Sequence, residues 1–505
     1  MNGNQKASSM SRSLRRLSKS RVQSGAQCTL RLWNDCFERD RATPVDESLQ
    51  FVFDRGTQVG LLAQQRYPGG RAIEAEYYET ALALKQTKEA IADPALPAVF
   101  EPAFVHKNVL ARIDVLERVG SDEWDLIEVK CASTNKDVYL RDLAIQFWIA
   151  RGTGVRVRRA GLLLLNRAYV YDGERLDLDQ LFNFVDLTDE AFAMHDEIEN
   201  LVQSLEKVIN EPEAPQVEPG AHCSIPYTCP YYAHCTRDHT FAENPIRDLP
   251  RIGENRLRKL EEMGVLEIRD IPDDFASNQL NEKQARIRNA VITGGDWVSN
   301  GLANALADIS FPVHHLDFEA FMPAVPRYRG TSPFDAVPFQ YSIHRETPGE
   351  EVEHFEYLCT GNHDPHRELA ERLLSDLGER GSICVYSTYE KTMIKSLAKR
   401  MPDLAAELEA LIERIWDLLP IIQRHYYHPE FHGSFSIKSV LPVLVPELSY
   451  DDMEIGDGMA AATKFEIART LEDPDARDEI FENLRIYCAQ DTLGMLELRR
   501  ALAVR

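Results

Sequence analysis

The sequence predicts a mixed α/β protein of more than one domain. Three observations carry that reading: a hairpin-like stretch at residues 110–130, a helix and strand that follow it, and a strand-rich restart near residue 314. At 505 residues the chain exceeds one ordinary core, so two or three domains are expected. Hydrophobic content of 44% and charged content of 27% are those of a water-soluble globular protein. No run approaches the roughly 18 apolar residues of a membrane span, so a cytoplasmic protein without membrane contact is expected. The net charge of -24 argues against coating nucleic acid through the overall field. It leaves a nuclease open, because metal-binding acids add negative charge. Nine cysteines are too few for a disulfide scaffold.

In chain order, residues 1–22 hold Lys6, Arg12, Arg15, Arg16, Lys19 and Arg21, many serines and no acids. This predicts a disordered basic arm, with an organelle transit peptide as the competing reading. Two helices are expected within residues 28–65 and one over 72–92, ended by Pro94 and Pro97. Residues 98–105 read as a strand carrying Glu101.

The hairpin LARIDVLERVGSDEWDLIEVK follows, its two apolar-rich runs flanking a polar turn at residues 120–123. Side chains alternate across a strand, so Glu128 and Lys130 project together. Folding at the turn brings Asp114 to within about a residue of facing them. Two carboxylates then offer hard oxygens to Mg²⁺ or Mn²⁺, while Lys130 can orient water or steady an oxyanion. The bland alternative is an exposed hairpin with solvated charges. A helix over 138–151, carrying Gln146 and Trp148, and a strand over 155–165 complete an α/β layer. Gln146 either marks the boundary between core and solvent or faces the acids.

After a helix over 189–209 and a Pro- and Glu-rich loop, GAHCSIPYTCPYYAHC sets Cys223, Cys229 and Cys235 apart by two five-residue gaps. Three thiolates so close suggest a soft metal, with Cys28 the leading fourth ligand. Zinc completed by His222, His234 or His239 competes, as do unligated buried cysteines. Cys131, Cys359, Cys384 and Cys488 read as core residues.

Residues 245–295 form a small helical unit in which glycines bracket a short helix. It resembles a helix-hairpin-helix repeat, whose turn can offer N–H groups to a phosphate. Packing alone explains it equally well.

The last 200 residues begin with HHLDFEAF, a strand with Asp317 and Glu319 on one face. Strands over 337–343 and 352–358, a helix over 365–377 and the strand ICVYS lead to a helix opened by STYEK, with Glu390. The remainder reads as mainly helical, ending in a long helix where Tyr487 and Asp491 are i and i+4 on one face. Asp317, Glu319, Glu390 and Asp491 together read as a four-acid metal cluster.

Asp114, Glu128-Val-Lys130 and Gln146 resemble the PD-(D/E)XK nuclease superfamily in its RecB-like branch. With Cys28, Cys223, Cys229 and Cys235, residues 18–239 look like the iron-sulfur nucleases of that branch, including the CRISPR-associated RecB-like exonuclease and the AddB nuclease. The resemblance implies a [4Fe-4S] cluster on those cysteines, with zinc as the alternative, and catalytic roles for Asp114, Glu128, Lys130 and Gln146. Relatives commonly carry a histidine in an early G-x-x-x-H helix. Gly60 stands there in this sequence, which leaves Glu101 as a substitute ligand. LDFEA, STYEK and YCAQD are similar to the three motifs of DnaQ-like (DEDD) exonucleases of the ribonuclease H fold, with Glu390 replacing the usual aspartate and Tyr487 orienting the attacking water. The segment from Trp416 to Ala460 resembles a bacterial domain of unknown function fused behind RecB-like nucleases.

These resemblances imply a basic arm over 1–22, a PD-(D/E)XK domain over 23–240, a helical joining unit over 241–300 and a ribonuclease H-like domain over 301–505. The function implied is metal-dependent phosphodiester hydrolysis, with single-stranded or end-exposed DNA the favoured polymer and RNA the alternative, in repair, processing or defence. The rival is a non-catalytic nucleic-acid-binding or assembly protein that keeps degenerate nuclease folds.

Overall fold

The computed structural model describes residues 16–239, 241–450 and 453–505. Two compact units divide the chain: one runs through His239 and includes Pro323–Phe334, and the other holds the rest.

The first unit is built on a six-stranded mixed sheet in the order Arg71–Ala72, Ala98–Phe100, Val115–Arg118, Trp124–Lys130, Val157–Leu165 and Phe182–Asp186. Val115 faces Ile127 in an antiparallel pair, so Asp114 comes level with Glu128, as the hairpin reading expects. The upstream run is not one strand, however. Val109–Arg112 leaves this sheet to pair with Leu17–Ser18 and Ala103–His106 in a separate three-stranded sheet. The expected strand over 98–105 is also two strands, broken where Glu101 takes a φ of 54° before Pro102. Proline has no N–H to donate, which excludes it from the middle of a ladder.

Parallel neighbours need a crossover, and helix Asp137–Gly152 supplies it between Trp124–Lys130 and Val157–Leu165. Every residue of that helix from Asp142 to Ala150 is buried. Leu143 and Trp148 join Trp124, Leu126 and Leu162 in the main core of the unit.

The disordered arm expected over 1–22 needs correction at its end. Residues 1–15 lie outside the described residues, but Leu17–Ser18 is a strand parallel to Val109–Leu110 and Lys19–Gln27 is a helix. Ser18 caps that helix by accepting from the Arg21 N–H, and Leu17 and Val22 are fully buried. The basic composition hid these two apolar anchors.

In the second unit a five-stranded sheet runs Glu353–Leu358, Val337–Glu346, Val313–Phe321, Ser382–Val385, Ile415–Asp417. The first three strands pair antiparallel, and the last two extend the sheet in parallel from Val313–Phe321. Ile415–Asp417 escaped sequence reading because three residues carry too little pattern. Gln340, buried in the sheet, donates to the Leu484 carbonyl of the 30-residue helix Pro474–Ala503 at 2.8 Å.

The joining unit expected over 241–300 is not a body of its own. Its Ile246, Leu260 and Ile287 share one core with Leu418, Tyr427, Leu441 and Leu498. Gly253 and Gly264, at φ of 77° and 75°, do bracket the short helix Glu254–Glu262. Among the described residues no helix is long and apolar enough to cross a membrane.

Candidate metal centres

Strand alternation sets Asp317 and Glu319 on one face of Val313–Phe321, and helix Pro474–Ala503 brings Asp491 to them. Each of the three offers an oxygen, and all three oxygens lie within 4.8 Å of one another. Among the described residues this is the one His, Cys, Asp and Glu group of three or more so gathered. Glu390, at the start of helix Tyr389–Arg400, is buried beside the three rather than among them. It accepts from Ser387 Oγ at 3.3 Å and shares a hydrogen bond with Asp317.

Burial and mutual repulsion raise these acids. Burial, then Asp491 and Glu319, pushes Asp317 well above the carboxylate range. Burial and Asp491 push Glu319 up to about 8, against the pull of Lys438. Glu390 is pushed up to about 7, chiefly by burial. Burial also raises Asp491, although hydrogen bonds from Tyr450 and Tyr487 and the charge of Lys438 oppose it. A divalent cation would relieve such a cluster, and three converging carboxylate oxygens are the donor set that Mg²⁺ or Mn²⁺ takes.

Two further residues belong to this site, and sequence reading missed both. Tyr450 donates its hydroxyl to Asp491 Oδ1. Lys438 donates to the Tyr487 hydroxyl at 3.3 Å and also to the Gly456 carbonyl. Both lie within residues 436–450, where a lysine and a tyrosine interrupt an apolar stretch. Cys488, expected in the core, is fully buried, with its Sγ 3.8 Å from Asp317 Oδ2.

In the first unit Glu128 is only 2% exposed, and both of its oxygens are engaged. Oε1 accepts from Lys130 at 2.6 Å and from Lys19 at 3.0 Å, and Oε2 accepts from Gln146 at 2.7 Å. Burial alone would raise Glu128, but the two ammonium groups hold it well below the carboxylate range. Asp142, one helical turn before Gln146, binds the same lysines, at 2.6 Å to Lys130 and 3.4 Å to Lys19. Asp114 accepts from the Val129 N–H at 2.7 Å, and burial next to Glu128 raises it well above its usual range.

The hairpin and helix thus bring Asp114, Glu128, Lys130 and Gln146 together as expected. Glu101 sits at the strand break, raised by burial and by Glu128, and the acids here do not gather as a three-oxygen group. Lys19 and Asp142 were missed. Lys19 reads in sequence as part of the basic arm, and the i, i+4 spacing of Asp142 and Gln146 is the available signal for the other.

Cys28, Cys223, Cys229 and Cys235 all line one cavity of about 20 Å³, together with Arg31, His222 and Tyr231. Cys28 follows the end of helix Lys19–Gln27, and the Cys229 N–H donates to the Cys223 carbonyl at 2.7 Å. Four thiols around one cavity fit a soft metal group. His222 Nε2 lies 3.6 Å from Cys223 Sγ.

Among known proteins, a family model described as Domain of unknown function (DUF2779) matches residues 314–436. That span holds Asp317, Glu319 and Glu390, and it ends before Lys438, Tyr450, Tyr487 and Asp491. No curated protein matches the chain.

Proposed function

We propose that the chain is a divalent-metal-dependent nuclease that hydrolyses phosphodiester bonds of DNA. The observation that carries this reading is the convergence of Asp317, Glu319 and Asp491 within 4.8 Å. A divalent ion held there supplies Lewis acidity toward a phosphoryl oxygen and a more acidic bound water. The protein's own groups do the rest. Tyr487 is placed by Lys438 and Asp491 to orient water, while Tyr450 fixes the rotamer of Asp491. Glu390 tunes Asp317 from alongside.

From Val313 the second unit runs β-β-β-α-β-α-α-β, and this order, with Asp317 and Glu319 on the central strand and Glu390 and Asp491 on helices, supports a ribonuclease H-like fold of the DEDD exonuclease kind. The hairpin with Asp114, Glu128 and Lys130, followed by the Gln146 helix, supports a PD-(D/E)XK fold for the first. The cysteine cavity supports a [4Fe-4S] cluster. Four cysteines on that cavity are the donor set of such a cluster, and zinc is the alternative.

One observation favours the non-catalytic rival for the first unit alone: protein donors engage both oxygens of Glu128. Purified protein with Mn²⁺ and end-labelled single-stranded DNA or RNA tests the proposal. Cleavage of DNA, lost in Asp317→Ala, is the expected result. No cleavage of either polymer, or cleavage unchanged in Asp317→Ala combined with Asp114→Ala, would overturn it.

A further inference from the structure

We propose that Lys19 is a tethered counter-cation that competes with a divalent metal ion for Glu128. The inference rests on reading the first unit as a metal centre and adds how that centre is controlled.

Lys19 lies far in sequence from the hairpin, yet its ammonium reaches the same Oε1 that Lys130 binds, at 3.0 Å. It also approaches Asp142 Oδ1 at 3.4 Å, so two lysines and two carboxylates form a closed ring of alternating charge. Gln146 takes the remaining Glu128 oxygen. Oε1 already accepts from two ammonium groups, so a metal ion that binds this oxygen must displace one of them.

Lys19 is the donor suited to leave. Lys130 is fixed on the same strand as Glu128, two residues away, and Gln146 is wholly buried. Lys19 instead comes from the first turn of a separate nine-residue helix, 109 residues away in sequence. Exposure does not separate the two lysines, at 23% and 20% of their side chains, so the element that carries Lys19 is what sets it apart. Withdrawal of Lys19 would return its ammonium to water and leave Glu128 and Asp114 to a cation of higher charge.

The test uses the full chain with Asp317→Asn and Asp491→Asn, which disable the second centre, and titrates Mn²⁺ alone by calorimetry. Lys19→Met is expected to tighten binding roughly tenfold to hundredfold, the worth of one hydrogen bond to a charged group. Lys19→Arg is expected to keep the parental affinity, and Glu128→Gln to abolish binding in both backgrounds. Equal, Glu128-dependent affinity in parent and Lys19→Met would overturn the competition and leave the metal centre standing. Binding absent from both would overturn the first-unit centre along with the proposal. A purely structural Lys19 would lower the melting temperature in Lys19→Met without moving the Mn²⁺ affinity, and that result too would overturn it.

Discussion

The Tyr450 hydroxyl bonds directly to an acid of the converged cluster, so it sets that acid's direction and favours its charged form. Tyr450→Phe keeps the ring and removes the donor. Orienting partners of metal ligands are typically worth about 10- to 100-fold in affinity or activity, and Mn²⁺ affinity is expected to fall by about that factor with the fold intact. Calorimetry beside circular dichroism checks this. The contrast with Asp317 and Glu319 shows what was legible at this scale. Two acids at i and i+2 on a strand share a face by local geometry alone, so LDFEA sufficed to find them. Tyr450, Lys438 and Lys19 reach their sites only through tertiary contacts, with Lys19 109 residues from Glu128. No local period records such a meeting.

At the scale of elements, long periodic segments were readable and short breaks were not. Helix Asp137–Gly152 and strand Val157–Leu165 lie within a residue or two of their expected limits. The breaks at Glu101 and Asp114 redirect two strands into a second sheet, and a single residue at positive φ leaves little trace in hydrophobic pattern. The shared core of residues 241–300 and the later chain includes a close backbone approach at one glycine. Gly433 has φ of 72°, and a Cβ added there would stand 1.6 Å from the Asp248 carbonyl oxygen. Gly433→Ala must therefore shift one backbone segment from the other. A loss of more than about 3 kcal/mol is expected, at the high end for a single substitution, with a lowered urea midpoint for the second unit. Gly264, with nothing near its missing Cβ, is the control: its alanine variant carries only the positive-φ strain.

Across the second unit as a whole, two buried populations oppose each other in pH. His314 and His344 are lowered to about 4 and His315 to about 3, each chiefly by burial. Between pH 4 and about 6.5 the unfolded chain binds protons that these folded imidazoles refuse, so their share of stability rises with pH. Glu319 and Glu390, at about 8 and about 7, do the reverse. The folded acids keep protons that the unfolded chain releases above about pH 4.5, so stability falls as pH rises through 8. Above pH 6.5 the acid contribution stands alone. Melting temperature in a chelator is therefore expected to decline from pH 6.5 to 8, and saturating Mn²⁺ is expected to flatten or reverse that decline. A chelated protein equally stable at both pH values would contradict the assignment.

Helix Lys19–Gln27 also imposes a timetable on synthesis. Lys19 and Cys28 are made early, whereas their partners Glu128, Asp142 and Cys223 to Cys235 follow later. At roughly 5–20 residues per second, about 10–40 seconds separate the exit of Cys28 from that of Cys235. During that interval the Cys28 thiol belongs to a nascent segment whose docking site does not yet exist. A ribosome-arrested chain ending before Cys223 should leave Cys28 open to alkylation, and one extended well past Cys235 should protect it. Cys28 waits for cysteines made much later in the same unit.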